Sequence, residues 1–485
     1  MPLYAVIPQW WVSWVMSLPA FSPFCLEAAT MNNIKYYMMQ TQQLIVSLVL
    51  AFLTHGAWAQ DRVMSLTDCL AYAREHAFAN KSNRLAVEQT RMDKHIQASA
   101  MMPSVGLYTS GNVSFGRSVD PETNTYDTKN TFSNGYSLSM SLPLFDGLVS
   151  INNYRAARMA ELSQKKSAEN EADQISLAVI RSFYNIIYYA ALETQMEKQL
   201  ESDRHNLAVT ERQEKLGVKS RGDIDDMRAI VAGDEYELLN QQNLRRKAML
   251  ELKAQMGMPV DEEIAVEEGT PDDGLTQEAS SSSAFLSAFN VHPRIMQAAH
   301  ELQRSRYQVR AAYGNFMPSI SLSGGVSTSY YKMLGSDNKA PSFSSQWHNN
   351  MGQYVGFSLS LPLFNGLANI KRLKRAKLNY NQRQVELDKT RYEIERTLSE
   401  ARLDVDAAES EWHAAQTRAE AEEVSNRAIQ RKYELGGVSP MDLYTSNSKL
   451  ASARAALVGK HIQLVINRMV YSYYKGEGFI SWTGK

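Results

Sequence analysis

The sequence predicts an α+β membrane protein in which a wall of β-strands inside a bilayer passes into a wall of long coiled-coil helices. Three observations predict it. A strand-turn-helix stretch occurs twice, as Ser139–Leu148 (SMSLPLFDGL) and Ser358–Leu367 (SLSLPLFNGL). The strand entering each copy alternates strictly between apolar and polar residues, with Leu138, Met140 and Leu142 opposing Ser137, Ser139 and Ser141. In the second copy Val355, Phe357, Leu359 and Leu361 oppose Gly356, Ser358 and Ser360. Such alternation marks strands with one apolar and one polar face. Each copy then opens a helical pattern much longer than an ordinary globular helix.

The bulk properties narrow the class. A chain of 485 residues is long enough for several ordinary domains. Its formal net charge of −1 and pI near 6.8 give no reason to expect nucleic acid. Hydrophobic content of 44% and a mean hydropathy of −0.37 argue against a bundle of membrane helices. They leave a β-barrel open, because its per-strand signal is weak and half polar.

Residues 31–59 read as a secretory signal, with Lys35 in the positive region, Leu44–Leu53 as the apolar core and Ala57-Trp58-Ala59 as the cleavage site. Residues 1–30 carry no basic residue and four prolines (Pro2, Pro8, Pro19, Pro23), so they read as upstream sequence before a start at Met31. The prolines disfavour the rival reading, a Trp-rich membrane segment. Cleavage leaves Gln60 first, with no cysteine there for a lipid anchor, and the chain is exported. With Cys25 in the leader, Cys69 is alone in the mature chain, so no internal disulfide and no zinc spacing exist.

Internal repetition sets the organisation. Met102-Pro103-Ser104-Val105 recurs as Met317-Pro318-Ser319-Ile320, and Leu216-Gly217, Ser220 and Asp223-Ile224 recur as Leu435-Gly436, Ser439 and Asp442-Leu443. The duplicated unit spans about 60–258 and 292–470, with a polar connector at 259–291 and a tail at 471–485. Glu267–Ser283 is too hydrophilic to build a core.

Each unit reads helix, strand, loop, strand, long helix, tight turn, helix. The leading helices are expected at about 65–100 and 292–315, each stopping where Met-Pro begins a strand. Val105, Leu107, Val113 and Phe115 share a face in the first strand, and Ile320, Leu322, Val326 and Tyr330 in its counterpart. Polar loops are expected at Arg117–Gly135 and Lys332–Gln353. Pro143 and Pro362 are expected to close the second strands, since proline cannot donate to a ladder. Asp146-Gly147 and Asn365-Gly366 then make the turns. Strands of about 10–12 residues suit a membrane crossing, and Tyr108, Phe115, Tyr136, Phe145, Tyr330, Tyr331 and Phe364 are available for interfacial girdles.

The long helices follow. No proline interrupts Leu367 to Glu434, and about 67 residues give a rod of roughly 100 Å. Ile394, Leu398, Ala401, Val405, Ala408, Trp412, Ala415 and Ala419 recur in alternating steps of four and three, the repeat of a left-handed coiled coil. Ile175, Val179, Ser182, Ile186, Tyr189, Glu193, Met196 and Leu200 keep the same register in the first unit. Leu403, Ala407 and Ala414 mark a second apolar face, so the rods belong in a ring or sheet of helices.

Four such strands cannot close a barrel, and an open edge in lipid leaves backbone groups unpaired. Subunits must therefore pool strands: two copies give eight and three give twelve, and this argument alone does not choose between them.

The two strand-loop-strand units ending in L-P-L-F-[DN]-G-L, the heptad helices and the two L-G-x-x-S-x-x-D-[IL] turns resemble the TolC-type outer-membrane efflux proteins. The resemblance covers nearly all of residues 61–470. It implies a homotrimer with a twelve-stranded barrel in outer-membrane lipid and a long α-helical barrel through the periplasm. It also implies an exit duct joined to a periplasmic adaptor (membrane fusion protein) and an inner-membrane transporter.

The helix-hairpin turns, Lys215–Asp223 and Glu434–Asp442, are the first candidate site. Their glycines suit a helix C-terminus, and Ser220 or Ser439 with Asp three residues on resembles a capping box with a shorter acid. The resemblance adds that Gly217, Ser220, Gly436 and Ser439 meet the adaptor, and that Asp442 sits where an aspartate ring can constrict the pore and attract cations. Asp223 and Asp226 are the matching gate candidates in the first unit. The chain departs from the family pattern at Thr445, where a second aspartate is expected, and at Val438, where an arginine is expected. Asp225 also crowds the first turn, near Lys219 and Arg221, so another charge arrangement is expected to hold the closed state. Pro143, Gly147, Pro362 and Gly366 mark the seams where barrel passes into helices.

A basic run, Lys371, Arg372, Lys374, Arg375 and Lys377, reads as a solvated helix face, with lipid headgroups as the alternative. His300-Glu301 lacks a second histidine at metalloprotease spacing, because position 304 is arginine. With no G-x-S-x-G elbow, phosphate loop or Cys/His cluster, neither an enzyme nor a cofactor or metal is expected. The competing reading is a structural or adhesive stalk anchored by a shared barrel. It is disfavoured because both rods turn back at the same motif.

Overall fold

The computed structural model describes residues 62–119, 124–128, 130–267, 292–334 and 341–476. The upstream segment, the signal region and most of the connector and the tail lie outside the described residues. Strand β1 (Arg62–Met64) precedes two helices, α1 (Leu66–His76) and α2 (Phe78–Ser99). A hairpin of β2 (Ser104–Ser114) and β5 (Asn130–Phe145) follows, with the small ribbon β3 (Arg117–Val119) and β4 (Tyr126–Thr128) between them. The chain continues through α3 (Val149–Lys215), α4 (Arg221–Met256) and β6 (Ile264–Val266). The second unit comprises α5 (Pro293–Gly314), β7 (Ser319–Leu334), α6 (Phe343–Asn349), β8 (Gly352–Ser360), α7 (Ala368–Glu434) and α8 (Pro440–Lys475).

The main sheet is antiparallel, in the order β2-β5-β7-β8. Its two hairpins share one register, Ser104 pairing with Ser141 in the first and Ser319 with Ser360 in the second. The outer edges of β2 and β8 have no partner strand among the described residues.

The helices carry the rest of the wall. Both α3 and α7 have 67 residues, roughly 100 Å of rod. Their heptad face is inside: Val179, Ser182, Ile186 and Leu200 are buried on α3, and Ile394, Leu398, Ala401, Ala408 and Ala419 on α7. Leu403 on the second face of α7 is 66% exposed. The core lies midway along the rods, where Val179, Phe183 and Ile186 pack with Leu252 and Met256 of α4 and Ile462, Val465 and Met469 of α8. An apolar window in α3 is long enough to cross a membrane, but half of it is buried in the protein.

Five expectations change. The single leading helix at 65–100 is two helices, broken at Ala77, whose ψ is 133°. Neither glycine nor proline marks that break. Instead the buried Asn80 amide donates to the carbonyls of Ala73 and Arg74, and Gly257 approaches so closely that a Cβ there would lie 2.7 Å from the His76 carbonyl oxygen. The connector begins inside the fold: β6 pairs with β1, and Ile264 and Val266 are buried in the core. The first loop is partly strand, because β5 starts at Asn130, and the β3–β4 ribbon places Arg117 over the Tyr126 ring at 4.9 Å. The second loop contains α6, whose buried Gln346 amide pairs with both backbone groups of Tyr331 at 2.9 Å. Finally, Pro143 does not close β5. It pairs opposite Ser321 and the ladder resumes at Phe145 after a bulge, whereas β8 stops at Ser360, two residues short of Pro362.

Candidate functional site

The hairpin tips are built alike. At the end of α3 the Gly217 amide bonds to the Glu214 carbonyl at 2.8 Å and the Val218 amide to the Gln213 carbonyl at 2.9 Å. At the end of α7 Gly436 bonds to Tyr433 at 2.9 Å and Gly437 to Lys432 at 2.8 Å. These are Schellman closures, which need a left-handed residue. Gly217 and Gly436 supply it, with φ of 71° and 75°.

Each following helix opens with a complete capping box. The Ser220 hydroxyl accepts from the Asp223 amide at 3.2 Å, while the Ser220 amide donates to Asp223 Oδ2 at 2.9 Å. Ser439 and Asp442 repeat this at 3.2 and 3.1 Å. The hydrogen bonds from Ser220 and Ser439 hold both carboxyls below the usual carboxylate range. Asp223 and Asp442 are thus helix caps before anything else, and their spare oxygen remains available. Asp226 is exposed on the next turn, and Asp225 pairs with Arg228 at 3.7 Å. Val438 is half-buried, and Thr445 spends its hydroxyl on the Met441 carbonyl at 2.8 Å.

What joins the two hairpins is a buried polar layer behind the tips. Thr210, fully buried, gives its proton to the Asn206 carbonyl at 2.8 Å and so accepts from the Tyr433 hydroxyl at 2.7 Å. Lys219 lies over the Tyr433 ring at 5.2 Å. Deeper in, Asp203 accepts from Gln199, Asn206 and Asn447, and Asn447 accepts from Asn426 at 2.8 Å. The carboxyl of Asp234 lies beside that of Asp203. Burial and this like-charged neighbour push Asp234 up to about 7.

Sequence reasoning missed this layer, although the signal was present. Continuing the steps of four and three from Leu200 reaches Asp203 and Thr210, and from Ala419 it reaches Asn426 and Tyr433. Polar residues on a coiled-coil seam fix register at a cost in stability.

The seams are the second site. Asp146 and Asn365 each open a turn closed by a backbone bond, Val149 to Asp146 at 3.4 Å and Ala368 to Asn365 at 3.2 Å. Gly147 and Leu148 have φ of 70° and 67°, and Gly366 and Leu367 64° and 65°. Two left-handed residues in succession make a type I′ geometry, which reverses the chain from strand into helix. The seams differ in surroundings: Gly147 lies against Gly314, where a Cβ would approach the carbonyl oxygen to 2.2 Å, whereas Gly366 faces open space. The basic run below the second seam is exposed, with Lys377 over the Tyr313 ring at 5.3 Å.

A sheet with one apolar face and two open edges, continued by rods that turn back at capped tips, defines a subunit of an outer-membrane channel. The profile of the outer membrane efflux protein family matches residues 71–258 and 287–469, and the chain belongs to that family. It is similar to the outer membrane efflux protein BepC of Brucella suis, 20% identical over 409 residues that cover 83% of each chain. It is also similar to the outer membrane protein TolC of Escherichia coli, at 21% identity over 70% of this chain and 71% of TolC. The crystal structure of the outer membrane protein VceC of Vibrio cholerae shares the fold with a TM-score of 0.70 at 16% identity, covering 85% of this chain and 96% of VceC. The protein is an outer-membrane exit duct of an efflux system, with its helical part in the periplasm.

Proposed function

We propose that three copies assemble into a duct whose hairpin tips receive a periplasmic adaptor carrying an inner-membrane transporter. The observation that carries this reading is the gathering of exposed large apolar side chains in the turns at the tips of both helical hairpins. Leu216, Val218 and Leu435 are 78%, 65% and 87% exposed. Apolar residues gathered at one end mark a docking surface, and the Gly217–Ser220 and Gly436–Ser439 turns hold them there. Asp442, Asp223 and Asp226 lie close to the same end, where a threefold arrangement would set a ring of negative charge in the lumen and favour cations.

A photoreactive residue in place of Val218 or Leu435, in cells with the intact pump, is expected to crosslink to a periplasmic adaptor. Capture of lipid or of outer-membrane neighbours alone would refute the docking reading. For the gate, Asp442→Asn is expected to lower cation selectivity in single-channel recordings. Unchanged conductance and selectivity would leave Asp442 as a helix cap only.

A further inference from the structure

The basic run at the start of α7 divides in two when it is set against its repeat. Laying Gly366 on Gly147 places Lys371, Arg372 and Arg375 opposite Asn152, Asn153 and Ala156, so those three cations have no counterpart. Lys374 and Lys377 fall opposite Arg155 and Arg158, and Ile370 falls opposite Ile151. Both long helices therefore carry an isoleucine and two cations in steps of four and three, which share one helical face. All six side chains are exposed, Ile151 at 39% and Ile370 at 55%.

We propose that these two stripes, Arg155 with Arg158 on α3 and Lys374 with Lys377 on α7, bind the phosphate groups of anionic phospholipids in the inner leaflet of the outer membrane. The inference rests on the outer-membrane location and holds for any number of assembled copies.

Depth supports it. At 1.5 Å per residue the isoleucines lie about 6 Å below the seam glycines, and the cations about 12 and 16 Å below. Helical side chains lean toward the N-terminus, here toward the sheet, and the long stems of lysine and arginine carry their charges farther that way. The charges thus come within reach of a headgroup layer roughly 5–8 Å deep, and the isoleucines meet its apolar edge.

The distribution of charge agrees. No carboxylate occurs from Val149 to Ala160 or from Ala368 to Val385. The first on α3, Glu161, is held by Lys94 at 2.7 Å and Lys165 at 2.9 Å. No ion pair engages any of the four cations among the described residues. Beside α7 runs α5, tied to it by the Asn369 amide on the Asn315 carbonyl at 2.7 Å and the Asn379 amide on Gln308 at 3.3 Å. The last turns of α5 set Tyr313 against Lys377 and add the exposed Arg306 and Arg310, with no carboxylate after Glu301. From Glu386 downward the carboxylates of α7 outnumber its cations. A merely solvated face would carry mixed charge, as lower α7 does, and has no use for an isoleucine repeated above two cations. Stripes turned to the lumen would leave both isoleucines in water.

The test uses the full chain purified from outer membranes, with fluorescent phosphatidylglycerol and the matching phosphatidylcholine as probes, read by anisotropy. The wild-type protein is expected to prefer phosphatidylglycerol. Replacing Arg155, Arg158, Lys374 and Lys377 together by Gln should erode that preference by about fivefold for each cation removed. Arg391→Gln, Arg396→Gln, Arg402→Gln and Arg418→Gln, combined in a control with the same loss of charge lower on α7, should leave it intact. The Arg155/Arg158 and Lys374/Lys377 pairs, replaced separately in protein that keeps its assembly on a native gel, guard against a folding defect in the fourfold variant. Each pair should remove part of the preference. Wild-type preference in the stripe variants, or an equal loss in the control, would overturn the proposal. A shift of single-channel selectivity toward cations with the lipid preference intact would also overturn it, by placing the stripes in the lumen.

Discussion

Gly147 offers the sharpest test of how the seam is built, because two separate costs meet there and the chain provides a control for each. In Gly147→Ala the new side chain must sit at φ of 70° and its Cβ would lie 2.2 Å from the Gly314 carbonyl oxygen and 2.9 Å from Met317 Cβ. The left-handed backbone alone costs a side chain roughly 1–2 kcal/mol. The close approach is to main chain, which cannot rotate away, so α3 and α5 must separate at a further cost of about 1–3 kcal/mol.

Gly217→Ala isolates the first term, since φ is 71° and nothing lies within 4 Å. Gly314→Ala isolates the second: its Cβ would meet the Gly147 oxygen at 2.4 Å, with no positive φ to maintain. Denaturant unfolding of the detergent-solubilised protein, followed by helical circular dichroism, reads all three. The expected order is Gly147→Ala most destabilised, by roughly 2–5 kcal/mol, with the two controls between it and wild type. A Gly147→Ala protein no less stable than Gly217→Ala would refute the backbone crossing at the seam.

Two further outcomes concern the polar layer. Tyr433→Phe removes the donor to Thr210 and is expected to cost about 1 kcal/mol; in a Thr210→Val background its effect should largely vanish, which a double-mutant cycle measures. Asp234 titrates in the opposite sense to a salt-bridged acid. Between its usual value of 3.8 and about 7 the unfolded chain has lost the proton that the native protein keeps, so stability falls as pH rises through that window. The wild-type melting temperature should therefore drop from pH 5 to pH 8, and Asp234→Asn should flatten the profile. A wild-type profile as flat as that of the variant would remove the protonated Asp234 from the account.

Much of this architecture was legible because repetition and periodicity are strong signals. The ends of α7 at Ala368 and Glu434 follow from the absence of proline and the glycine at 436. The capping boxes follow from serine and aspartate at the required spacing. The break at Ala77 was not legible, because it depends on Asn80 and Gly257 rather than on Ala77 itself. Nor was the passage of β5 through Pro143: a proline forbids only the donor side of a ladder, and a bulge absorbs the loss. The layer at Asp203, Thr210, Asn426 and Tyr433 was readable in principle. It lies on the heptad steps, but the apolar residues alone draw attention to a coiled coil.

The open edges of β2 and β8 also bear on how the protein survives its journey to the membrane. They are different surfaces, so contact between copies is head-to-tail, and such contacts either close into a ring or propagate without end. An edge rich in apolar residues is also a template for unwanted strand addition. The isolated subunit therefore crosses the periplasm carrying the ingredients of a filament. Closure into a ring needs a fixed rotation between neighbouring copies, and the paired 67-residue rods that continue from the sheet are the rigid element on hand to set it.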